Sequence, residues 1–306
     1  MNIRSPLNYM GNKYGLLNWL KANFPSNNEC KIFIDLFGGS GTISVNVDYE
    51  KIIYNELNKS VYDLVKMFFL NDSKKIINRI NKNIEHYGLA KKQTDKRKTT
   101  EEENNYYNER YKDFVKAYNN SERNVIDLFT LSFYSFSHQI RVNSKQEFNM
   151  PKGNGCFTKE NKNDIELFCS CISKKNINFY NKDAFEILRS ITEKNNEIFI
   201  YLDPPYFNTT ATYNEGRGIS GWTIDKDIKL FEELDRINKL GIKWALSNVS
   251  ISRGKENTHL ISWAKKGNYK IIELDREYCC FGKGSANNQE ILIINYEPKF
   301  EKIRLF

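Results

Sequence analysis

Short apolar runs alternate with helical patterns along much of the chain. The run at residues 31–36 (KIFIDL) is nearly continuous and leads into a glycine-rich segment, residues 37–41 (FGGSG), which predicts a buried strand followed by a turn. A second strand is predicted at residues 51–55 (KIIYN). Further strand patterns lie at residues 176–180, 197–202, 242–247, 269–274 and 290–296. This alternation predicts an α/β protein whose strands are mostly parallel and joined by crossovers.

The strand pattern is interrupted between residues 59 and 174, where the periodicity is helical. Mostly apolar side chains recur there at spacings of three and four, in a series made of Val125, Leu128, Phe129, Ser132, Phe133 and Phe136. The polar stretch at residues 90–105 predicts a solvated loop, whose basic side chains could contact phosphates. We therefore expect one sheet domain, residues 1–58 plus 175–306, and an inserted, mainly helical domain, residues 59–174.

Composition narrows the class of protein. The 306 residues are 40% hydrophobic and 27% charged, which is typical of a soluble globular protein. No run of about 18 apolar residues is present and the N-terminal segment lacks the apolar stretch of a signal peptide, so we expect no membrane span and a cytoplasmic location. The formal charge of +8 and the aromatic content of 14% are compatible with a nucleic-acid partner but do not require one.

Cysteine and histidine give no sign of a metal site. None of the six cysteines has Cys-x-x-Cys spacing, and the three histidines are scattered along the chain. We expect reduced, mostly structural thiols and no metal.

The strongest chemical signal is the tetrapeptide Asp-Pro-Pro-Tyr at residues 203–206. It directly follows the apolar run at residues 198–202. Two consecutive prolines remove two backbone donors and enforce an extended, rigid exit from a strand. A carboxylate and an aromatic ring are thereby held at the carboxyl end of that strand.

The first two strands end in residues that suit a nucleotide-like cofactor. Glycines after the first strand allow a ligand to approach the backbone closely, although their spacing is not G-x-G-x-x-G. A phosphate loop is excluded because no Gly-Lys-Ser/Thr sequence closes the turn. Glu56 follows the second strand, where an acidic side chain commonly accepts from both hydroxyls of a ribose. The pair of features indicates an adenosine-type cofactor.

Together these motifs make the chain resemble the DNA N6-adenine methyltransferases of the Dam type over nearly its whole length. Residues 8–13 (NYMGNK) resemble the N-terminal cofactor motif, with Tyr9 where some relatives have Trp. Residues 33–41, 55–58 and 183–185 resemble the methionine-side, ribose and adenine elements of the cofactor site, with Glu56 where several relatives have Asp. Residues 147–151 (EFNMP) resemble part of the target-recognition domain, whereas residues 134–141 match poorly outside Arg141.

The resemblance implies the fold and the partners. It implies a Rossmann-like S-adenosylmethionine-dependent methyltransferase sheet, mostly parallel with one antiparallel edge strand, and a target-recognition role for residues 59–174. It also implies that the adenine is flipped out of double-stranded DNA at a short site. We expect a monomer, and a restriction-modification setting with a companion restriction endonuclease is left open.

The resemblance also assigns roles to individual residues. The catalytic residues are Asp203, Pro204, Pro205 and Tyr206. The cofactor-binding residues are Tyr9, Met10, Gly11, Lys13, Asp35, Phe37, Gly38, Gly39, Ser40, Gly41, Glu56, Asp183, Ala184, Phe185 and Asp203. The DNA-binding residues are Gln139, Arg141, Asn143, Lys145, Asn149 and Pro151, among which Arg141 aligns with an arginine that reads guanine.

The chemistry can be rebuilt from the catalytic residues. An ionised Asp203 and the backbone carbonyl of Pro204 can each accept one N6 hydrogen, which aims the nitrogen lone pair at the methyl group, while Tyr206 offers its face to the base. The same tetrapeptide would also serve N4 methylation of cytosine, and an RNA adenine is a further substrate class. A non-catalytic DNA-binding protein on the same scaffold is the alternative outside enzymes.

Overall fold

The core of the molecule is one mixed β-sheet. The computed structural model describes residues 2–9, 11–95, 98–206, 222–252, 255–274 and 289–298. The strands are β1 (Ile32–Asp35), β2 (Lys51–Asn55), β3 (Ile177–Tyr180), β4 (Ile198–Leu202), β5 (Lys243–Ser252), β6 (Lys255–Glu256), β7 (Lys270–Glu273) and β8 (Gln289–Ile294). Each of the seven strands predicted from the apolar runs is present, and β5 extends five residues beyond its predicted end at residue 247.

The strand order confirms the predicted fold class. The order is β3-β2-β1-β4-β5-β8-β7, and the short β6 pairs with the end of β5. The pairs β1–β2, β1–β4, β2–β3 and β4–β5 are parallel. Strand β8 runs antiparallel to both of its neighbours, β5 and β7. Because β7 forms the edge of the sheet, the antiparallel strand β8 is the second strand from that edge.

Helices cover both faces of this sheet. They are α1 (Leu17–Asn23), α2 (Thr42–Asn46), α3 (Lys59–Leu70), α4 (Ser73–Tyr87), α5 (Glu101–Asn119), α6 (Val125–Tyr134), α7 (Lys159–Ile172), α8 (Ala184–Ser190), α9 (Ile224–Lys239) and α10 (Thr258–Lys266). Successive strand residues point to opposite faces. Ile34 and Ile200 therefore pack in one core with α8, α9 and α10, whereas Phe33 and Tyr201 pack in a second core on the other face.

The second core continues from the sheet into the helices of the insert. Phe68 of α3 meets Phe129 of α6 and Phe168 of α7 edge-on, with ring centroids 5.1 and 5.4 Å apart. A Cβ atom on Gly41 would lie 2.9 Å from Val65 of α3, so this helix packs against the glycine turn after β1. The insert therefore shares a hydrophobic core with the sheet next to the carboxyl ends of the strands.

Two expectations for the insert need correction. The loop predicted at residues 90–105 is wrong for its second part, because α5 begins at Glu101. The Thr100 side chain accepts from Glu103 N and the Glu103 side chain accepts from Thr100 N, which is a capping box that starts the helix. The apolar series beginning at Val125 does form α6, but Phe136 lies beyond the helix end and is 59% exposed.

Other expectations concern membrane spans and thiols. Within the described ranges, none of the helices is long and apolar enough to cross a membrane. Among the described residues, Cys30, Cys156, Cys169 and Cys171 form no disulfide bond. Cys279 and Cys280 lie outside the described residues.

Candidate active site at the carboxyl ends of the strands

A cavity lies at the edge of the sheet where β1, β2 and β4 end. Because the carboxyl ends of parallel strands share one edge, motifs far apart in sequence are brought together there. The cavity is lined by thirteen of the residues predicted to bind cofactor or to catalyse: Tyr9, Gly11, Lys13, Phe37, Gly38, Gly39, Ser40, Glu56, Asp183, Ala184, Phe185, Asp203 and Pro205. Met10 lies outside the described residues.

The glycine turn after β1 is held by hydrogen bonds to residues in and directly after β2. Gly39 N donates to Glu56 Oε2 at 2.9 Å, and the Tyr54 hydroxyl donates to Gly39 O at 2.7 Å. A Cβ atom on Gly38 would lie 2.2 Å from the Tyr54 ring, and Gly39 has a φ of +50°. The turn thus needs glycine at Gly38 for packing and at Gly39 for its backbone conformation.

Glu56 both supports this turn and faces the cavity. It is buried, and its Oε1 accepts from Asn58 N at 2.7 Å. Burial raises the pKa of Glu56, while hydrogen bonds from the backbone of Asn58, Gly39 and Leu57 act in the opposite direction. A carboxylate offers about four lone-pair positions. Three backbone donors occupy at most three of these positions, so at least one remains for a hydroxyl group of a bound ligand.

Asp35 and Gly41 lie beneath the turn and are not part of the cavity wall. Asp35 is buried and its Oδ2 accepts from the Ser44 hydroxyl at 2.7 Å. Burial, together with the nearby charges of Asp203 and Glu56, raises the pKa of Asp35 to about 7, although the hydrogen bond from Ser44 acts in the opposite direction. Gly41 is the N-cap of α2 with a φ of +73°. Both residues are placed to shape the turn from below.

Asp203 is the centre of a buried polar cluster. Its Oδ2 lies 2.9 Å from Lys13 Nζ, and its Oδ1 accepts from the Tyr206 hydroxyl at 3.0 Å. The Lys13 side chain is 6% exposed, also donates to Gly11 O at 3.2 Å and lies 5.2 Å from the centroid of the Tyr206 ring. The N-terminal motif and the Asp-Pro-Pro-Tyr motif therefore form one site. Pro204 and Tyr206 are buried and are not among the residues that line the cavity.

The sequence patterns did not predict one aromatic residue of the cavity wall, Trp222. The Trp222 ring is parallel to that of Phe185, with centroids 6.4 Å apart, and meets Phe37 edge-on at 5.6 Å. Its Nε1 donates to Asp227 Oδ1 at 2.6 Å, which fixes the indole. Trp222 follows Phe185 by 37 residues, and no local pattern in the sequence indicates that the two rings are neighbours. Lys226 also lines the cavity and lies over the indole, 5.7 Å from the ring centroid.

The predicted DNA-binding residues lie on a hairpin-like segment, residues 135–152. Isolated bridges pair Ser135 with Lys152 and Val142 with Phe148. Gln139 and its neighbour Ile140 line the cavity, so one end of the segment reaches the candidate active site.

Local hydrogen bonds order this segment. Arg141 Nε donates to Asn149 Oδ1 at 2.9 Å, and Arg141 Nη2 donates to Asn149 O at 3.1 Å. Asn143 Oδ1 accepts from Lys145 N and Glu147 N. Lys145, Asn149 and Pro151 are exposed, while Arg141 and Asn143 are partly exposed. All six predicted residues therefore lie on one segment that leads away from the cavity.

In the part of the chain that the structure describes, no group of three or more His, Cys, Asp or Glu side chains is arranged to hold a metal ion.

Comparisons with known proteins agree with this geometry. The modification methylase StsI of Streptococcus sanguinis is 35% identical over 97% of this chain and 43% of its own length. The type II methyltransferase M.FokI of Planomicrobium okeanokoites is 35% identical over 96% of this chain and 43% of its own length. The chain thus spans less than half the length of these two relatives. A DNA adenine methylase of Escherichia coli K12 is 24% identical, with 96% of both chains covered.

The family model supplies the last piece of evidence. The model of the D12 class N6 adenine-specific DNA methyltransferases matches residues 9–278, which include residues 9–13 of the N-terminal motif, the glycine turn, the hairpin-like segment and the Asp-Pro-Pro-Tyr motif. This chain therefore belongs to the D12 class N6 adenine-specific DNA methyltransferase family.

Proposed function

We propose that this chain transfers a methyl group from S-adenosylmethionine to N6 of an adenine that is flipped out of a short double-stranded DNA sequence. The proposal rests on one observation: Asp203 and Lys13 form an ion pair beside a cavity. The glycine turn and Glu56 line the same cavity. Membership of the family implies S-adenosylmethionine as the methyl donor.

The residues of the cavity fit this cofactor. Flat aromatic side chains (Tyr9, Phe37, Phe185 and Trp222) line the wall together with three carboxylates, Glu56, Asp183 and Asp203. Aromatic faces attract cations and stack on purines, and carboxylates accept from hydroxyl and ammonium groups. When bound, S-adenosylmethionine supplies an electrophilic methyl group on a sulfonium ion. We propose that Glu56 binds the ribose and that Phe185 and Trp222 contact the adenine ring.

The catalytic motif suits an exocyclic amine. Asp203 and the carbonyl of Pro204 are proposed to accept the two N6 hydrogens and so orient the nitrogen lone pair. Lys13 holds the carboxylate in place through its 2.9 Å ion pair. The Tyr206 ring, anchored by its hydroxyl on Asp203, is proposed to stack on the flipped base, which offsets part of the cost of unstacking it.

The insert is proposed to recognise the target. We assign catalysis to residues 1–58 plus 175–306 and target recognition to residues 59–174, with Gln139, Arg141, Asn143, Lys145, Asn149 and Pro151 as its DNA contacts. Arg141 uses Nε and Nη2 to bind Asn149, so its other donors remain for O6 and N7 of a guanine. The net charge of +8 favours the phosphate backbone of duplex DNA.

Three further features stay predictions. Modification methylases among the relatives support a companion restriction endonuclease. We also propose that the chain is a monomer and that it is located in the cytoplasm.

Transfer of labelled methyl from S-adenosylmethionine, followed by nucleoside analysis, tests the proposal. Duplex DNA of random sequence, adenine-free DNA and RNA are supplied in parallel. N6-methyladenine formed only in duplex DNA is the expected result. Formation of N4-methylcytosine would show that the substrate is cytosine, and methylation of RNA would show that the substrate is RNA. Binding of DNA without any methyl transfer would favour the non-catalytic alternative.

A further inference from the structure

A partly buried glutamate, Glu290 of the last described strand, reaches the Asp-Pro-Pro-Tyr motif. Glu290 lies on β8, which runs antiparallel to β5 and is reached 84 residues after Tyr206. Its Oε2 lies 3.2 Å from the Tyr206 hydroxyl. The same hydroxyl lies 3.0 Å from Asp203 Oδ1. One phenol therefore stands between two carboxyl groups.

The number of protons limits this arrangement. A tyrosine hydroxyl carries a single hydrogen, so it can donate to only one of the two carboxyl groups at a time. If both groups were ionised, one oxygen–oxygen contact would lack a hydrogen and would bring lone pairs together inside the protein. A proton on Glu290 removes the conflict, because the protonated carboxyl can donate to the phenolic oxygen while the phenol donates to Asp203.

The charges around Glu290 decide which carboxyl holds that proton. Among the described residues, the titratable groups that face it are Lys13 from the N-terminal segment, Asp203 and Tyr206 from the end of β4, and Tyr201 within β4. Burial is the largest influence and raises the pKa of Glu290; Asp203 raises it as well, whereas Lys13 and the hydrogen bond of Tyr206 lower it. Lys13 forms its ion pair with Asp203. The ammonium therefore stabilises the charge on Asp203 and leaves the proton to Glu290.

We propose that Glu290 is a positioning residue for methyl transfer: its protonated carboxyl donates to the Tyr206 hydroxyl, which in turn donates to Asp203 Oδ1. The chain of two hydrogen bonds fixes the angle of the Tyr206 ring and the orientation of the Asp203 carboxylate together. Lys13 holds the opposite oxygen, Oδ2. The carboxylate thus presents a single orientation to the amine. This role rests on the proposed function, since it concerns the same reaction.

Three variants test the inference on the full chain. Glu290→Gln keeps a donor toward the phenol in the form of an amide, Glu290→Ala removes it, and Glu273→Gln is the matched control because Glu273 is an exposed glutamate on the neighbouring strand β7. Loss of one positioning hydrogen bond should lower kcat of Glu290→Ala about tenfold or more, with a smaller change in KM for S-adenosylmethionine. Glu290→Gln should retain most of kcat.

The pH profile separates a proton donor from a merely structural glutamate. In the wild-type chain, kcat should fall as pH rises through the pKa of Glu290, because the donor is then lost. Glu290→Gln should lack this decline, and Glu273→Gln should keep it. A Glu290→Gln variant as impaired as Glu290→Ala, or a Glu290→Ala variant with wild-type kcat, would overturn the proposal.

A direct measurement of the proton does not depend on activity. The carboxyl ¹³C resonance of Glu290, assigned by its absence in Glu290→Gln, should titrate above the ordinary range of glutamate. Titration within that range would overturn the inference even if the variants lose activity by misfolding. If the wild-type chain transfers no methyl group, the proposed function fails, while the ¹³C titration still decides whether Glu290 holds the proton.

Discussion

Polar side chains are held in different ways in two regions of the molecule. One region is the edge of the sheet, which carries Asp203, and the other is the hairpin-like segment, which carries Arg141. At the sheet edge the partners are far apart in sequence: Lys13 with Asp203, and Gly39 with Glu56. These groups are buried or nearly so. In the hairpin-like segment Arg141 binds Asn149, eight residues away, and the pair is at least partly exposed.

This difference has energetic consequences. Removing one partner of a buried pair leaves a charge without compensation, which is strongly destabilising. An exposed side chain that loses a local partner can bind water instead, so the cost is small. Changes at the sheet edge should therefore act on turnover and stability together, whereas changes in the hairpin-like segment should act on sequence preference alone.

The largest effect is expected at Asp203. Asp203→Ala should abolish methyl transfer, with a loss of roughly 10³-fold or more, because the amine loses its main acceptor. It also leaves Lys13, which is 6% exposed, without its carboxylate, at a cost of several kcal/mol, on the order of 3–5, in the free energy of unfolding. Rates with labelled S-adenosylmethionine and thermal melting measure the two losses. Binding of DNA with a cofactor analogue should largely survive.

Asp203→Asn is the matched control, since it preserves the volume of the side chain and an acceptor for Lys13. Turnover near the wild-type level in Asp203→Ala would show that the amine is activated by another group.

The buried carboxyl of Asp35 allows the comparison to be tested through the pH dependence of stability. The pKa of Asp35 is about 7 in the folded chain against 3.8 as its ordinary value. The folded state then binds more protons than the unfolded state between about pH 4 and 7, so stability should fall as pH rises through that window. Roughly three pKa units at about 1.4 kcal/mol each give up to about 4 kcal/mol.

Asp35→Asn should remove this pH dependence, because the amide oxygen can still accept from the Ser44 hydroxyl and no charge is buried. Urea unfolding at several pH values measures it. Asp48→Asn, at a carboxylate that is 96% exposed, serves as the control and should leave the dependence intact. Equal slopes in Asp35→Asn and wild type would contradict the assignment.

Glu56 should show an intermediate effect. Glu56→Ala removes the proposed contacts to the ribose hydroxyls, each worth about 1.5–3 kcal/mol if charge-assisted, and also leaves Gly39 N and Asn58 N without their acceptor. Calorimetric affinity for S-adenosylmethionine should weaken accordingly. Glu56→Gln retains one acceptor oxygen and should be affected less. If Glu56→Ala binds S-adenosylmethionine with unchanged affinity, the assignment of Glu56 to the ribose is wrong.

The smallest effect on the protein, and the most specific, is expected at Arg141. Arg141→Ala should cost roughly 1–3 kcal/mol on the preferred site and relax the preference at one guanine. Thermal stability should change little, because the hydrogen bonds of the guanidinium to the described residues go to Asn149 alone. Methylation rates on duplexes varied at each position measure the preference.

Arg123→Ala is the control within the same region, because its guanidinium binds the backbone carbonyls of Lys145 and Gln146. It should not change the base preference. If Arg141→Ala weakens all sequences equally, the residue contacts phosphate, and Gln139 or Lys145 becomes the next candidate for reading the base.

Much of this molecule is determined by local patterns in the sequence. The strands follow from short apolar runs, since a strand buried on both faces needs apolar residues at every position, as in β4 (Ile198–Leu202). The Asp-Pro-Pro-Tyr motif and the glycine turn indicate the site because their backbone chemistry is unusual in itself. The start of α5 was also encoded locally, in the capping box of Thr100 and Glu103, although the polar composition around it favoured a loop.

Only the tertiary structure decided which of these residues meet. The pairing of Lys13 with Asp203, the parallel rings of Phe185 and Trp222, and the approach of Glu290 to Tyr206 join positions between 37 and 190 residues apart. Hydrophobic periodicity determines which face of a strand is buried, but it carries no information on which strand lies beside it. The order of strands in the sheet sets those neighbours, and β8 brings Glu290 to the catalytic motif because it pairs with β5 next to β4.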